Sequence, residues 1–178
     1  MNTEDRRQKD DWYPTPPEAT EALLKCEHFD KDVWEPACGD GAISKVFEAA
    51  GHNVHSTDLV DYGFGISGID FLMERKPFAE QIVTNPPYKM ANDFVLHAID
   101  LGIRKHAWLL RLPFLEGQTR YEQIFNKNPP AKVYVFSKRL TIWRGDEDQA
   151  WYGTTGKTAY AWFVFSKGWR GPPQLYWI

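Results

Sequence analysis

The chain has 178 residues, 43% of them hydrophobic and 15% aromatic, with a formal charge of −3 at pH 7. This length fits one domain with a sizeable core and leaves little room for two, and the composition excludes a disordered chain. With only two cysteines, a disulfide framework is excluded, and no apolar stretch has the length of a signal sequence or a membrane span. The five histidines are not spaced as metal ligands. A cytoplasmic protein with no membrane partner and no metal is therefore expected.

Residues 1–11 are charged and lack apolar periodicity, which predicts a flexible N-terminal arm before a single domain over residues 12–178. Thr15, two prolines and Glu18 are typical of a helix start, and this helix is predicted to run to about Lys25. Residues 33–34 begin a strand, residues 35–41 (EPACGDG) form a turn, residues 43–50 have helical apolar spacing, and residues 53–58 form a second strand. This order predicts a βαβ unit whose turn lies at the carboxyl edge of the sheet.

Further along the chain, residues 69–72 (IDFL) follow a glycine-rich loop, and residues 81–84 form a strand that ends at Asn85. An amphipathic helix follows around residues 94–99, then a buried strand over residues 106–112. Residues 132–137 and 159–165 are rich in β-forming side chains and are separated by a polar loop. The predicted fold class is α/β, with a mostly parallel twisted sheet closed by an antiparallel C-terminal hairpin.

Charge is distributed unevenly along the chain. Residues 126–178 carry eight basic and three acidic side chains, whereas the rest carries 13 basic and 21 acidic ones. The basic, aromatic C-terminal third could bind a phosphate backbone or could be an ordinary solvent-exposed surface, and the sequence favours the two interpretations about equally.

The turn at residues 35–41 is the first candidate binding feature. Gly39 and Gly41 allow the backbone to approach a ligand at a helix N-terminus, but many such turns use glycine only to make the bend. The turn lacks the three-glycine dinucleotide fingerprint and the Lys-Ser/Thr of a phosphate-binding loop. Asp58, at the end of the second strand, is suited to accept hydrogen bonds from two ribose hydroxyls. The spacing of the turn and this acid favours a ligand that contains a nucleoside.

The most specific feature is the tetrapeptide Asn85, Pro86, Pro87 and Tyr88 at a strand's carboxyl end. The prolines fix the backbone so that the Asn85 side-chain oxygen and the Pro86 carbonyl can accept from one flat amino group, while Tyr88 offers a face for stacking. These bonds shift the nitrogen towards tetrahedral geometry, ready to attack a sulfonium methyl without a general base. A proline-rich turn with an incidental tyrosine is the structural alternative.

Taken together, these segments resemble the DNA N6-adenine methyltransferases, which are Rossmann-like class I methyltransferases, from Tyr13 to about Ser166. The likeness rests on residues 13–20 (YPTPPEAT), 33–41 (VWEPACGDG), 69–72 (IDFL) and 83–88 (VTNPPY), in family order. It implies S-adenosyl-L-methionine as cofactor, DNA as partner, and transfer of the methyl group to N6 of adenine by direct in-line displacement.

The resemblance also assigns roles to individual residues. The implied cofactor-binding residues include Tyr13 and Cys38, without a more specific role. Around the methionine part of the cofactor the resemblance implies Thr15, Glu35, Ala37, Gly39 and Gly41; it also implies Asp58 on the ribose, and Asp70 and Phe71 on the adenine. Asn85, Pro86, Pro87 and Tyr88 are implied as the catalytic residues that hold the flipped target base, with Trp143 on its far side.

The chain departs from the family because it has no room for a separate target-recognition domain. Specificity is therefore expected to be short, borne by loops, supplied by a partner, or absent. The loops at residues 113–131 and 143–158, with Arg120, Lys127, Arg144 and Lys157, are the predicted substrate contacts. A small enzyme of this kind is expected to favour single-stranded or mismatched substrate, where extruding a base costs least.

Three alternatives remain open at this point. RNA adenine and protein glutamine present the same flat amine, although the short N-terminal arm makes a protein substrate less favoured. A catalytically inactive methyltransferase fold that serves as a binding module is the third.

Overall fold

The computed structural model describes residues 12–142 and 158–178. Three longer helices are α1 (Pro17–Cys26), α2 (Ala42–Ala49) and α3 (Ala91–Asp100). The strands are β1 (Asp32–Glu35), β2 (Asn53–Ser56), β3 (Gln81–Thr84), β4 (Lys105–Arg111), β5 (Lys132–Val135), β6 (Tyr160–Ser166) and β7 (Gln174–Trp177). The predicted arm, residues 1–11, lies outside the described residues.

The seven strands form one sheet in the order β2-β1-β3-β4-β6-β5-β7. β1 pairs in parallel with β2 and β3, and β3 pairs in parallel with β4. β6 lies antiparallel between β4 and β5, and β7 runs parallel to β5 along the outer edge. The predicted α/β fold, with a mostly parallel sheet and an antiparallel C-terminal pair, is confirmed.

Both faces of the sheet are covered by helices, which explains why the central strands are almost continuously apolar. Val33 and Val83 point to the face that packs against α1 and α2, where Leu23 and Phe47 are buried. Alternate residues of the same strands point to the opposite face, which packs against α3 and includes Trp34 and Trp108. Two separate cores therefore fix the sheet from both sides.

Three segments differ from the sequence-based expectations. β2 ends at Ser56, and the next residues continue as a loop in which Asp58 N donates to the Ile66 carbonyl. A 3-10 turn, Phe71–Met73, follows Asp70, whose carboxylate accepts from Leu72 N at 3.0 Å. The region predicted as a loop after β4 contains a 3-10 turn, Leu112–Leu115, then short helical segments, Gln118–Arg120 and Tyr121–Phe125.

β7 was not expected from the sequence. Its four residues are all exposed, so the strand shows no pattern of buried and exposed positions. β7 is held by its backbone pairing with β5. This pairing depends on the path of the chain after β6, which a local sequence pattern does not specify. Within the described ranges, no helix is both long and apolar enough to cross a membrane.

The strand order creates a crevice at the carboxyl edge of the sheet. The chain leaves β1 towards β2 on one side, whereas β3 lies on the other side of β1. At such a switch point the loops after β1 and β3 turn away from each other, and ligands of open α/β sheets bind in the gap.

Candidate active site at the carboxyl edge of the sheet

A cavity of about 280 Å³ opens at this switch point. It is lined by four segments: the stretch before α1, the loop after β1, the loop after β2, and the loop after β3. The predicted site residues that line it are Tyr13, Thr15, Glu35, Ala37, Cys38, Gly39, Asp58, Asn85 and Pro87. Segments that are distant in sequence thus meet at one place.

Asn85 is held in one orientation by the segment before α1. Its side-chain nitrogen donates to the Tyr13 carbonyl at 3.0 Å and to Thr15 Oγ1 at 3.1 Å. Its side-chain oxygen, Oδ1, is buried and has no hydrogen-bond partner. An unpaired buried acceptor costs roughly 1–3 kcal/mol, so the fold keeps an acceptor ready for a donor that comes from outside the chain.

Tyr88 starts the short 3-10 turn, Tyr88–Met90, that leads into α3. Its ring lies 5.8 Å from the Tyr13 ring and 6.0 Å from the Tyr160 ring, centroid to centroid. The guanidinium of Arg111 lies over the ring, 4.7 Å from its centroid. The Tyr88 hydroxyl is buried, and burial, with a smaller effect of Tyr160, raises its pKa well above the ordinary value. Tyr88 therefore stays neutral.

Glu35 ends β1 and is almost completely buried. Its Oε2 accepts from Ser44 N at 2.8 Å and from the Ser44 hydroxyl, which also contacts the Ser56 hydroxyl. Burial raises the pKa of Glu35 well above its ordinary value, and the charges of Asp58 and Asp40 act in the same direction. Burial therefore favours the neutral form of this carboxyl group, and a cation placed beside it would favour the ionised form.

The loop after β1 is shaped by glycine and held by Asp58. Gly39 has φ +53°, and a Cβ there would lie 2.8 Å from the Trp12 ring nitrogen; Gly41 has φ +80°. Asp58 accepts from Gly39 N at 2.8 Å through one oxygen and from Val60 N at 2.9 Å through the other. Asp58 thus fixes two cavity loops and also faces the cavity itself.

Cys38 contributes a buried thiol to the same loop. Its Sγ lies 3.7 Å from the carbonyl oxygens of Gly39 and Phe64. Burial raises the pKa of the thiol to about 12, with Glu35 and Asp58 adding to the shift. The group is therefore uncharged and unsuited to act as a nucleophile or metal ligand. Across the described residues, no group of His, Cys, Asp or Glu side chains could hold a metal ion.

Sequence reasoning missed several residues that shape the site. Trp12 and Tyr62 line the cavity, and their rings are in contact with centroids 4.6 Å apart and planes inclined by 31°, although 49 other residues separate them in the chain. Arg111 and Tyr160 surround Tyr88 from the facing ends of β4 and β6, where they are paired in register. The aromatic Trp12 just before the first motif was the only usable signal, because the other contacts are long-range.

Other predicted residues lie elsewhere. Among the described residues, the lining of the cavity does not include five of the predicted site residues: Gly41, Asp70, Phe71, Pro86 and Tyr88. Phe71 is 2% exposed and packs edge-on against Trp34 in the core, so its ring serves the fold here.

The predicted substrate-binding side chains also have mixed placements. Arg120 donates to Asn92 Oδ1 at 2.9 Å and to the Phe114 carbonyl at 3.0 Å, and stacks on the Phe114 ring, so it braces the segment after β4. Lys127 is exposed on the surface. Trp143, Arg144 and Lys157 lie outside the described residues.

No protein-family profile matches the sequence, and a search of curated proteins finds no match. Solved structures do match. A protein from Pyrococcus horikoshii described as a candidate RNA methyltransferase has a TM-score of 0.67 at 16% identity, covering 91% of this chain and 90% of that one. The modification subunit of a candidate type I restriction enzyme from Vibrio vulnificus has a TM-score of 0.60 at 14% identity, covering 98% of this chain and 48% of that one.

A third similar structure is magnesium protoporphyrin IX methyltransferase from Synechocystis with bound S-adenosylmethionine. Its TM-score is 0.58 at 11% identity, and the match covers 85% of this chain and 79% of that chain. At these identities the likenesses concern the fold. They show that the chain shares the Rossmann-like fold of these class I methyltransferases.

Proposed function

We propose that the chain is an S-adenosylmethionine-dependent methyltransferase that modifies N6 of adenine in DNA. The observation that carries the proposal is the buried, unpaired Oδ1 of Asn85, whose amide is oriented by Tyr13 and Thr15. Because Nδ2 already has two acceptors, the free side of the amide can only accept. An exocyclic amine is a donor that satisfies this atom, and the methyltransferase fold supplies the context for methylating it.

The cavity suits the proposed cofactor in charge and shape. Its lining includes three acidic side chains, Glu35, Asp40 and Asp58, against one lysine, Lys89. S-adenosylmethionine carries a sulfonium and an ammonium group, so its methionine part is attracted to this acidic lining. The volume of about 280 Å³ lies just below the usual range of ligand cavities, roughly 300–1,000 Å³. We assign Glu35 and the Gly39 loop to the methionine part and Asp58 to the ribose.

The proposed mechanism uses the chain's residues to prepare the amine. When bound, S-adenosylmethionine supplies a methyl group on sulfur that is open to direct displacement. Asn85 Oδ1 accepts one hydrogen of the target amine and the Pro86 carbonyl accepts the other, which draws electron density onto the nitrogen. Tyr88 offers its ring to the base. The amine held by Asn85 and Pro86 would attack the methyl carbon as the carbon–sulfur bond breaks, S-adenosylhomocysteine would be the leaving group, and the extra proton would pass from the nitrogen to solvent.

RNA adenine is the second candidate substrate, since it presents the same amine to Asn85. The likeness to a candidate RNA methyltransferase over nearly the full length of both chains favours keeping it. The proposed cofactor and residues are the same for either substrate, so the choice depends on contacts to the sugar and the backbone.

The test combines cofactor binding with substrate profiling. Calorimetry measures binding of S-adenosylmethionine, and transfer of a tritiated methyl group is followed on single-stranded DNA, duplex DNA, RNA and protein. Digestion of the labelled polymer to nucleosides identifies the modified atom. We expect N6-methyladenine in DNA, formed faster on single strands than on duplex. Labelled glutamine, or no transfer to any polymer by a protein that binds the cofactor, would contradict the proposal.

Asp58→Ala is the companion variant for the cofactor assignment. Losing charge-assisted hydrogen bonds is expected to weaken cofactor binding roughly 10- to 100-fold. Asp61→Ala is the matched control, because Asp61 is an exposed acid of the same loop that accepts only from Gly63 N, at 2.8 Å. Equal loss of affinity in both variants would show that loop integrity, and not the Asp58 carboxylate, governs binding.

A further inference from the structure

A surface recess adjoins the target-amine site but is separate from the cofactor cavity. It has a volume of about 630 Å³ and is lined by residues from the end of β4 and from the segments beside β5 and β6, including Arg111 and Arg139. The rest of its lining comprises the acid Glu116, the polar Thr158 and the apolar residues Leu112, Pro113, Leu115 and Ala159. Two guanidinium groups against one carboxylate give the recess a net positive charge, and guanidinium groups bind phosphate oxygens strongly.

Arg111 connects this recess to the proposed catalytic tetrapeptide. It is the last residue of β4 and is paired in register with Tyr160 of β6, so its backbone position is fixed by the sheet. Its side chain is exposed, and its guanidinium lies over the Tyr88 ring. None of the ion pairs between described residues includes Arg111. The side chain is therefore held by a contact with an aromatic ring, which is weak at a position exposed to water.

The groups beside Arg111 show that the base site is closed in this conformation. Asn85 Oδ1 is buried and unpaired, and the Tyr88 hydroxyl is buried beside it, although the mechanism needs Oδ1 to receive the target amine. Arg111 occupies a face of Tyr88 on which a base would stack. A base that enters must displace this guanidinium, and a base extruded from a strand brings its own phosphates to the mouth of the site.

We propose that the Arg111–Arg139 recess binds the phosphate next to the target nucleotide, and that Arg111 moves from the Tyr88 ring to this phosphate when the base enters. The inference rests on the proposed function and adds a positioning role for Arg111. Before binding, the guanidinium covers the ring; after binding, it holds the backbone so that the base stays between Tyr88 and Asn85. One side chain thereby couples backbone binding to opening of the base site.

The experiment measures how salt affects oligonucleotide binding. A fluorescein-labelled 12-nucleotide single strand with one adenine is titrated with full-length protein saturated with S-adenosylhomocysteine, at several KCl concentrations, and anisotropy gives Kd. Each phosphate contact on a single strand contributes about 0.7 to the slope of log Kd against log salt. Arg111→Met is expected to lower this slope by about 0.7 and to weaken binding about tenfold at 0.1 M salt. Arg111→Lys is expected to keep the slope.

Arg104→Met is the matched control, because Arg104 lies just before the opposite end of β4 and pairs with Asp30 and Glu80. Its slope is expected to equal that of the wild type. In transfer assays, Arg111→Met is expected to raise KM for the oligonucleotide about tenfold while kcat stays within about threefold. Arg139→Met provides a second probe of the same recess if Arg111→Met fails to fold.

The outcomes separate this inference from the proposed function. If the protein methylates nucleic acid but Arg111→Met and Arg139→Met leave the slope unchanged, the inference is overturned and the function stands. If the protein binds the strand with an Arg111-dependent slope but transfers no methyl group, the recess assignment stands and the function fails. An equal loss of slope in Arg111→Lys, or no binding of nucleic acid by the wild type, also overturns the inference.

Discussion

Asn85→Ala tests whether the Asn85 amide acts in the chemistry or only holds the loops together. The variant removes two hydrogen bonds, to the Tyr13 carbonyl and to Thr15 Oγ1, with a net stabilisation of about 1 kcal/mol each. It also removes the buried unpaired Oδ1, which costs roughly 1–3 kcal/mol in the folded protein. The two effects nearly cancel, so the free energy of unfolding is expected to change by no more than about 1 kcal/mol.

The effect on catalysis is expected to be much larger. Removing one preorganised group that stabilises developing charge typically lowers kcat by about 10²–10³, or roughly 3–4 kcal/mol in the transition state. The cofactor affinity should stay within about threefold, because Asn85 is proposed to face the amine. Urea unfolding, calorimetry with S-adenosylmethionine and single-turnover methyl transfer measure the three quantities on the same protein.

Two further variants make this result interpretable. Thr15→Val keeps Asn85 Oδ1 but removes one of the acceptors that orient the amide, and is expected to lower kcat about tenfold. Asn53→Ala is the surface control, since Asn53 lies at the start of β2 and contacts only Asp32 through its side chain, at 3.0 Å. Full activity in Asn85→Ala, or a fall in activity matched by destabilisation of 3 kcal/mol or more, would refute the reasoning.

Three predictions concern titratable groups. Because burial raises the pKa of Glu35, binding of the cationic cofactor is expected to release a proton from this carboxyl group and to become tighter as pH rises. Calorimetry in buffers of different ionisation enthalpy detects the released proton. The Glu35→Gln variant is expected to abolish the release. Burial lowers the pKa of His106 to about 3, so its contribution to stability is complete above pH 6.5 and is lost as pH falls towards 3. Between neutral pH and pH 5, the free energy of unfolding is therefore expected to fall by about 2 kcal/mol less in His106→Gln than in the wild type, and urea unfolding measures it. Identical pH profiles of the two proteins would contradict the assignment. Cys38, with its pKa near 12, should resist a thiol reagent in the folded protein, whereas the exposed Cys26 reacts; two fast-reacting thiols would be inconsistent with the burial of Cys38.

The Asn85–Tyr88 tetrapeptide and the succession of β1 to β6 along the chain were accessible from the sequence because both are local patterns. Parallel strands buried on two faces are short apolar runs. This is why the ends of β1 and β3 could be identified, and why Glu35, Asp58 and Asn85 were placed at the carboxyl edge, although β2 ends two residues before Asp58. The observed cavity brings these three residues together.

Local patterns could not distinguish residues with the same sequence signal but different environments. Phe71 follows an acid as a cofactor-stacking ring would, yet it packs in the core against Trp34. Arg120 lies in a loop as a substrate contact would, yet its guanidinium braces that loop through Phe114 and Asn92. Side-chain burial and partner choice depend on which elements pack together, and a short stretch of sequence does not contain that information.

The sequence alone therefore determined the fold class and the order of the main elements, and it predicted a role for Asn85 at the carboxyl edge. The tertiary structure decided what surrounds that side chain: Tyr13 and Thr15, 72 and 70 positions away, which orient its amide. It also decided that Arg111 covers Tyr88, because the register of β4 against β6 sets where the guanidinium lies. The physical reason is that strand register and helix packing arise from contacts between distant segments, whereas turns and apolar runs are encoded within a few neighbouring residues.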